Sequence, residues 1–304
     1  MKELTLEMSD GFKLYAFIKE PTSKPIGHIH LLHGMAEHIG RYEFAINFFC
    51  EQGFVVSGHD HRGHGQTALL NGMKGYFAEN DGFNRVVQDA HEVISEVKTV
   101  HPALKFTLLG HSMGSFIARR YIQLHGDDVD LAILSGTGDD SGVARYGGLA
   151  FAHLAGRRKG FTERNHQLDS LVFGAFNKKI EKPQTKFDWL SKNEQHVSEY
   201  MLDEKCGFIP TTQFFIDLFN GLGLIHKKRE IAKIPKNLPI LLFSGVDDPV
   251  GNYGKAVWKV ARQYNYAKID EVTVLIFEEG RHELLNDPAQ VHVLEAVLEW
   301  MQKR

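Results

Sequence analysis

Leu4, Leu6 and Met8 alternate with polar residues, an Asp10-Gly11 pair follows, and Phe12, Leu14, Ala16 and Ile18 resume the alternation. A period of two interrupted by a turn dipeptide predicts an opening β-hairpin. Short apolar runs then recur at 26–32, 54–57, 105–109, 131–134, 239–243 and 272–277. They are too short for helices and predict parallel strands buried on both faces. Between them the spacing is helical, over Tyr42 to Gln52, Phe83 to Val100, Met113 to Leu124 and Val257 to Tyr266. A last helix is predicted from Val291, Leu294, Val297, Leu298 and Met301, with Asn286 or Asp287 as its cap and Pro288 near its first turn. Strands that alternate with helices predict an α/β fold with a mostly parallel, doubly wound sheet.

The alternation fails between about 138 and 232, where helical segments occur without strand-like runs, as at 211–222 with Phe214, Phe215, Leu218, Phe219 and Leu222. A long excursion between two strands predicts an inserted lid rather than a loop. The expected organisation is therefore a core of residues 1–137 and 233–304 carrying a helical cap over 138–232.

Composition narrows the class. The 304 residues are 43% apolar and 24% charged, which is ordinary for a globular chain. Lys and Arg (35) nearly balance Asp and Glu (38), so nothing points to nucleic acid. Cys50 and Cys206 stand far apart and the first residues lack a basic-then-apolar leader, so a reduced, cytoplasmic protein is expected. No apolar run approaches the roughly 18 to 20 residues that span a bilayer. Neither G-x-G-x-x-G nor G-x-x-x-x-G-K-[ST] occurs, and no cofactor is expected.

Gly110-His111-Ser112-Met113-Gly114 matches G-x-S-x-G, with an apolar strand entering it and a helix leaving it. That context suits a nucleophile elbow, a sharp turn that presents a serine hydroxyl. A serine needs a base, and the base needs an orienting acid. Asp247 and Asp248 follow the strand at 239–243, and His282 follows the strand at 272–277, giving the chain order Ser, Asp, His at the strand ends where this architecture gathers ligands. Spacing leaves the choice between the two aspartates open. An oxyanion would need two backbone N–H donors. Met113, after the serine, supplies one, and Met35, in the turn after the first central strand, supplies the other.

His33-Gly34-Met35-Ala36-Glu37-His38 with Arg41-Tyr42, then Asp60-His61-Arg62-Gly63-His64-Gly65, then the serine motif, resemble the α/β-hydrolase group that contains monoacylglycerol lipases and bacterial lysophospholipase-like esterases. The resemblance covers nearly the whole core, and the cap shares only position and helical character. It implies Ser112 as nucleophile, His282 as base and Asp248 as acid, with ester cleavage through an acyl-enzyme. It also implies small glycerolipid substrates bound under the cap, where Phe214, Phe215 and Phe219 would either touch substrate or dock the cap on the core. Lysophospholipids, short soluble esters and N-terminal prolyl peptides are the alternative substrates. A charged headgroup would call on Arg157, Arg158 and Lys159. A transient contact of the cap with a membrane surface is expected for lipid substrates. The reading from another class, a ligand-binding protein that has kept the fold without catalysis, sits poorly with an intact Ser112, Asp248 and His282.

One competing pattern is His59-Asp60-His61-Arg62-Gly63-His64, close to the H-x-H-x-D-H spacing of binuclear zinc hydrolases. Gly63 stands where that pattern needs a carboxylate, and no metal is expected.

Overall fold

The computed structural model describes residues 1–304. Eight strands form one sheet: β1 (Lys2–Glu7), β2 (Lys13–Lys19), β3 (Gly27–Leu32), β4 (Phe54–His59), β5 (Phe106–His111), β6 (Leu131–Ser135), β7 (Ile240–Gly245) and β8 (Val272–Phe277). Their order is β1-β2-β4-β3-β5-β6-β7-β8. The hairpin pairs Leu4 with Ala16, and β2 runs antiparallel to β4 with Ala16 opposite His59. From β4 to β8 every neighbour is parallel.

Alternation of side chains across the pleat sorts the apolar strand residues into two cores. Leu108, Leu134 and Leu242 point to the face covered by α3 (Gly82–Lys98), α4 (Met113–Leu124) and α10 (Lys255–Tyr266). Leu109, Ile133 and Phe243 point to the face covered by α1 (Glu43–Glu51) and α11 (Gln290–Gln302). Both faces are covered, which is why β3 to β7 read as largely apolar runs, broken in β3 and β4 by His28, His30, Ser57 and His59. A short helix, α2 (Gly65–Asn71), follows the Arg62-Gly63-His64 turn and has no counterpart in the expected elements.

Between β6 and β7 the chain forms α5 (Val143–Lys159), α6 (His166–Phe173), α7 (Glu194–Leu202), α8 (Thr212–Ile225) and α9 (Lys228–Ile231). Thr211 caps α8, its hydroxyl accepting from Phe214 N–H at 3.2 Å. Phe214 and Leu218 of α8 enter the core formed with α3 and α4. That apolar side seats the helical excursion on the sheet's C-terminal edge.

The terminal helix departs from expectation at its start. Ala289 precedes its first turn and provides no side-chain cap. Asp287 is fully buried, and its carboxylate accepts from Lys192 N–H at 2.9 Å and Arg281 N–H at 2.7 Å instead. Unpaired amides in two neighbouring loops compete for the carboxylate, and Asp287 ties the loop before His282 to the excursion.

Candidate active site

The turn from β5 into α4 places Ser112 at φ 52°, ψ −120°, a region costly for a residue with a Cβ. The flanking glycines make the turn possible. A Cβ at Gly114 would lie 2.1 Å from Leu32 O, and one at Gly110 would lie 2.3 Å from Gly114 O. The Ser112 hydroxyl stands 2.9 Å from His282 Nε2, and His282 Nδ1 stands 3.0 Å from Asp248 Oδ1. Asp248 also accepts from Ser244 Oγ and Val250 N–H, both at 2.8 Å. Asp247 is half exposed and faces Lys192 at 2.9 Å, so the structure brings only the second aspartate to the histidine.

Burial and charge set the ionisation of this trio. Burial alone would push His282 down, but the Asp248 carboxylate beside it, helped by Glu283 and Glu37, holds it above the ordinary histidine value. Burial would raise Asp248, and His282, Ser244 and Val250 together hold it below its ordinary value. The arrangement stabilises an imidazolium flanked by a carboxylate while leaving Nε2 free to take the serine proton.

Met35 N–H has no acceptor within the protein, and Met113 N–H belongs to the first turn of α4, where helix amides lack intrahelical partners. Met35 and Ser112 also line two cavities that meet at the hydroxyl. One, of about 300 Å³, is the more polar, its walls mixing Glu37, Asp169, Ser170, Asn177 and Lys186 with Phe187, Trp189 and Phe208. The other, of about 350 Å³, is mostly apolar, with Met113, Phe116, Val172, Leu218, Phe219 and Leu222 among its walls. Both volumes lie in the range of small-molecule sites.

The aromatic residues expected near substrate divide. Phe219 lines the apolar cavity. Phe214 and Phe215 are fully buried and line neither, a correction to the expected contacts. Phe214 packs on Phe77 at 4.5 Å and Phe215 joins Ala152 and Leu168, so the N-terminal half of α8 docks the excursion while its C-terminal half reaches the cavity. Arg157, Arg158 and Lys159 are exposed at the end of α5 and also line neither cavity.

Several site residues were not anticipated. His111, inside the serine motif, lies with its ring 4.7 Å from that of His282, and burial takes its pKa down to about 3, so it is neutral there. Trp189 packs 5.1 Å from His282, and Leu190 O accepts Glu283 N–H at 2.7 Å. Arg41 bridges Glu37 at 2.7 Å and grips both oxygens of Glu283 at 2.7 Å, joining the Met35 turn to the His282 loop. Arg41 and Glu283 are 242 residues apart, so spacing carries no signal for the pair.

The histidines of the zinc-like pattern are held by protein partners. His59 Nδ1 meets His30 Nε2 at 3.0 Å, His61 Nε2 donates to His33 O, and His64 Nδ1 donates to Arg62 O. Asp60 accepts from Ile39 and Gln66 N–H, and Arg62 pairs with Asp89. The motif fastens the turns behind the site. A different trio, His38, Asp203 and Cys206, brings potential ligand atoms within 4.8 Å of one another. However, Gly40 N–H donates to His38 Nδ1, which leaves the proton on Nε2 facing Asp203 at 2.7 Å. A metal ligand needs the opposite tautomer, so this trio fits a cation poorly.

Residues 23–289 match the family model described as serine aminopeptidase, S33. The chain is 26% identical to a monoacylglycerol lipase of Mycolicibacterium smegmatis, across 96% of this chain and 93% of that one. It is also 26% identical to human monoglyceride lipase, across 97% and 89%. A thermostable carboxyl esterase from Bacillus coagulans, solved in complex with glycerol, superposes with a TM-score of 0.93 at 29% identity over 99% of this chain and 98% of that one.

Proposed function

Because the chain belongs to the S33 serine aminopeptidase family of α/β-hydrolases, in the branch that resembles monoacylglycerol lipases, we propose that it hydrolyses carboxylic esters, with small glycerolipids as substrates. The observation that carries this reading is the position of Ser112, hydrogen-bonded to His282 at the meeting point of a more polar cavity and a mostly apolar one. The acyl chain occupies the apolar cavity and the alcohol the polar one. We take residues 138–232 as the cap that roofs both.

Ser112 Oγ attacks the ester carbonyl carbon while His282 Nε2 takes its proton. Met35 and Met113 N–H hold the oxyanion, an interaction for which each donor contributes roughly 10² to 10³ in rate. His282 then protonates the departing alkoxide. Water, deprotonated by the same nitrogen, attacks the acyl-Ser112 carbonyl and releases the acid, and the proton on His282 returns to Ser112. Asp248 keeps Nδ1 protonated and stabilises the imidazolium.

Lys186 in the more polar cavity favours a charged headgroup, but it shares the wall with Asp169, whose carboxyl burial raises and the Lys186 charge lowers. A neutral polyol headgroup fits that pair better than a phosphate ester. Val143, Tyr146 and Leu154 lie exposed on α5, followed by Arg157, Arg158 and Lys159, which suits transient contact with an anionic lipid surface.

A chain-length series of monoacylglycerols beside matched lysophosphatidylcholines tests the substrate, with Ser112→Ala as background. The expected result is a Ser112-dependent preference for monoacylglycerols that rises with chain length and then levels off. Turnover of short soluble esters alone would overturn the lipid assignment and leave the ester chemistry standing.

A further inference from the structure

The turn that carries Met35 contains a strained residue. Ala36 has φ 55°, in the left-handed region that a side chain with a Cβ disfavours by roughly tenfold or more. Its carbonyl accepts from Gly207 N–H at 2.9 Å and from the Tyr200 hydroxyl at 3.0 Å. Both donors come from the helical excursion, across 164 residues of chain in the case of Tyr200. The turn has other supports, since Glu37 accepts from Tyr42 Oη at 2.8 Å and pairs with Arg41, and His38 faces Asp203 of the excursion at 2.7 Å, but only Tyr200 and Gly207 reach the Ala36 carbonyl. Tyr200 is itself fixed, buried with the Arg41 guanidinium 4.7 Å above its ring and Phe187 4.9 Å away.

We propose that Tyr200 is a positioning residue for the oxyanion site, its hydroxyl together with Gly207 N–H holding Ala36 in the left-handed conformation that keeps the preceding Met35 N–H aimed at the reacting carbonyl. Seating the cap then becomes a condition for stabilising the transition state. Without both donors the Ala36 carbonyl would leave the turn free to relax toward a right-handed or extended conformation. This assignment rests on the esterase reading above.

Tyr200 also lines the polar cavity, so a direct contact with the alcohol must be separated from an effect through Ala36. Glycine makes the separation, because it takes positive φ without steric cost. Four proteins are compared: the unmodified chain, Tyr200→Phe, Ala36→Gly and the double variant, each checked for folding by thermal melting. Tyr200→Phe is expected to lower kcat about fivefold to tenfold with KM within about twofold, the loss of one hydrogen bond. In the Ala36→Gly background the same change is expected to cost less than about twofold, because the backbone no longer needs holding. Affinity for a trifluoromethyl ketone that forms the tetrahedral adduct should follow kcat, and affinity for a non-reacting ether analogue should not. An equal loss in both backgrounds, a loss confined to KM, or no loss at all would each overturn the assignment while the hydrolase reading stood. Absence of Ser112-dependent turnover in the unmodified chain would overturn both.

Discussion

At Ser112 the proposed chemistry would draw on the backbone, because a φ of 52° between two closely packed glycines presents the hydroxyl to His282. Ser112→Ala is expected to lower kcat by at least about 10⁴-fold with little change in melting temperature, measured against a dissolved ester. His282 must be neutral to accept the serine proton, and its pKa is held above the ordinary value of 6.5. Accordingly, kcat/KM should rise with pH through a midpoint above 6.5, read from a pH–rate profile. Removing the Asp248 charge takes away the strongest influence that raises His282. Asp248→Asn should therefore cut kcat by about 10⁴ and shift the residual acid limb to lower pH, whereas Asp247→Asn should change kcat less than about twofold. The serine was legible because its motif is local, and the histidine because it follows the last strand. The choice between the adjacent aspartates was not, since one residue of offset separates a carboxylate facing His282 from one facing Lys192. Only the resemblance to known hydrolases pointed to Asp248.

At the scale of elements, α8 has two jobs along its length. Leu222→Trp, near its end, fills part of the apolar cavity and should lower kcat/KM for long acyl chains while sparing short ones. Phe214→Ala, near its start, should destabilise the protein by about 3 to 5 kcal/mol in denaturant unfolding without altering the chain-length profile. The sequence marks the stretch 211–222 as helical, and α8 covers it from Thr212. It does not say which turn meets the core and which meets the cavity, because that depends on the angle at which the helix crosses the sheet edge. Asp287 illustrates the same limit. Its place before a helix predicts a cap, but the nearby Lys192 and Arg281 amides, brought in by folding, take its carboxylate.

For the whole molecule, the sheet was readable strand by strand, since strands buried on both faces are mostly apolar even where a histidine or serine interrupts them. The short α2 was not, because it lacks a periodic apolar face long enough to recognise. Nor did the sequence show that histidines scattered over β3, β4 and the turns beyond them would assemble behind the site. His28, His30, His33, His59, His61 and His64 are all buried, and burial depresses every one, His28 and His64 to about 4. Such groups are neutral in the folded chain but bind protons in the unfolded chain below about 6.5, so stability rises with pH in that window. Carboxyls raised by burial act in the opposite sense, Asp217 to about 7 and Glu37, Asp60, Asp89, Asp169 and Asp287 in the same direction, as does the raised His282. However, His111, His125 and His226 are lowered as well and join the six histidines. Melting temperature should stay level above about pH 7 and fall steeply between about pH 6.5 and pH 4, and a level profile across that window would contradict the packing described for these rings.

Acylation of Ser112 with the help of His282 and Asp248 is what the proposed function requires. It is tested most directly by reaction with a fluorophosphonate followed by peptide mass spectrometry. Stoichiometric modification of the peptide carrying Ser112 is expected, much slower in Asp248→Asn and absent in Ser112→Ala. No modification of the folded protein, or modification at another residue with Ser112 left free, would contradict it.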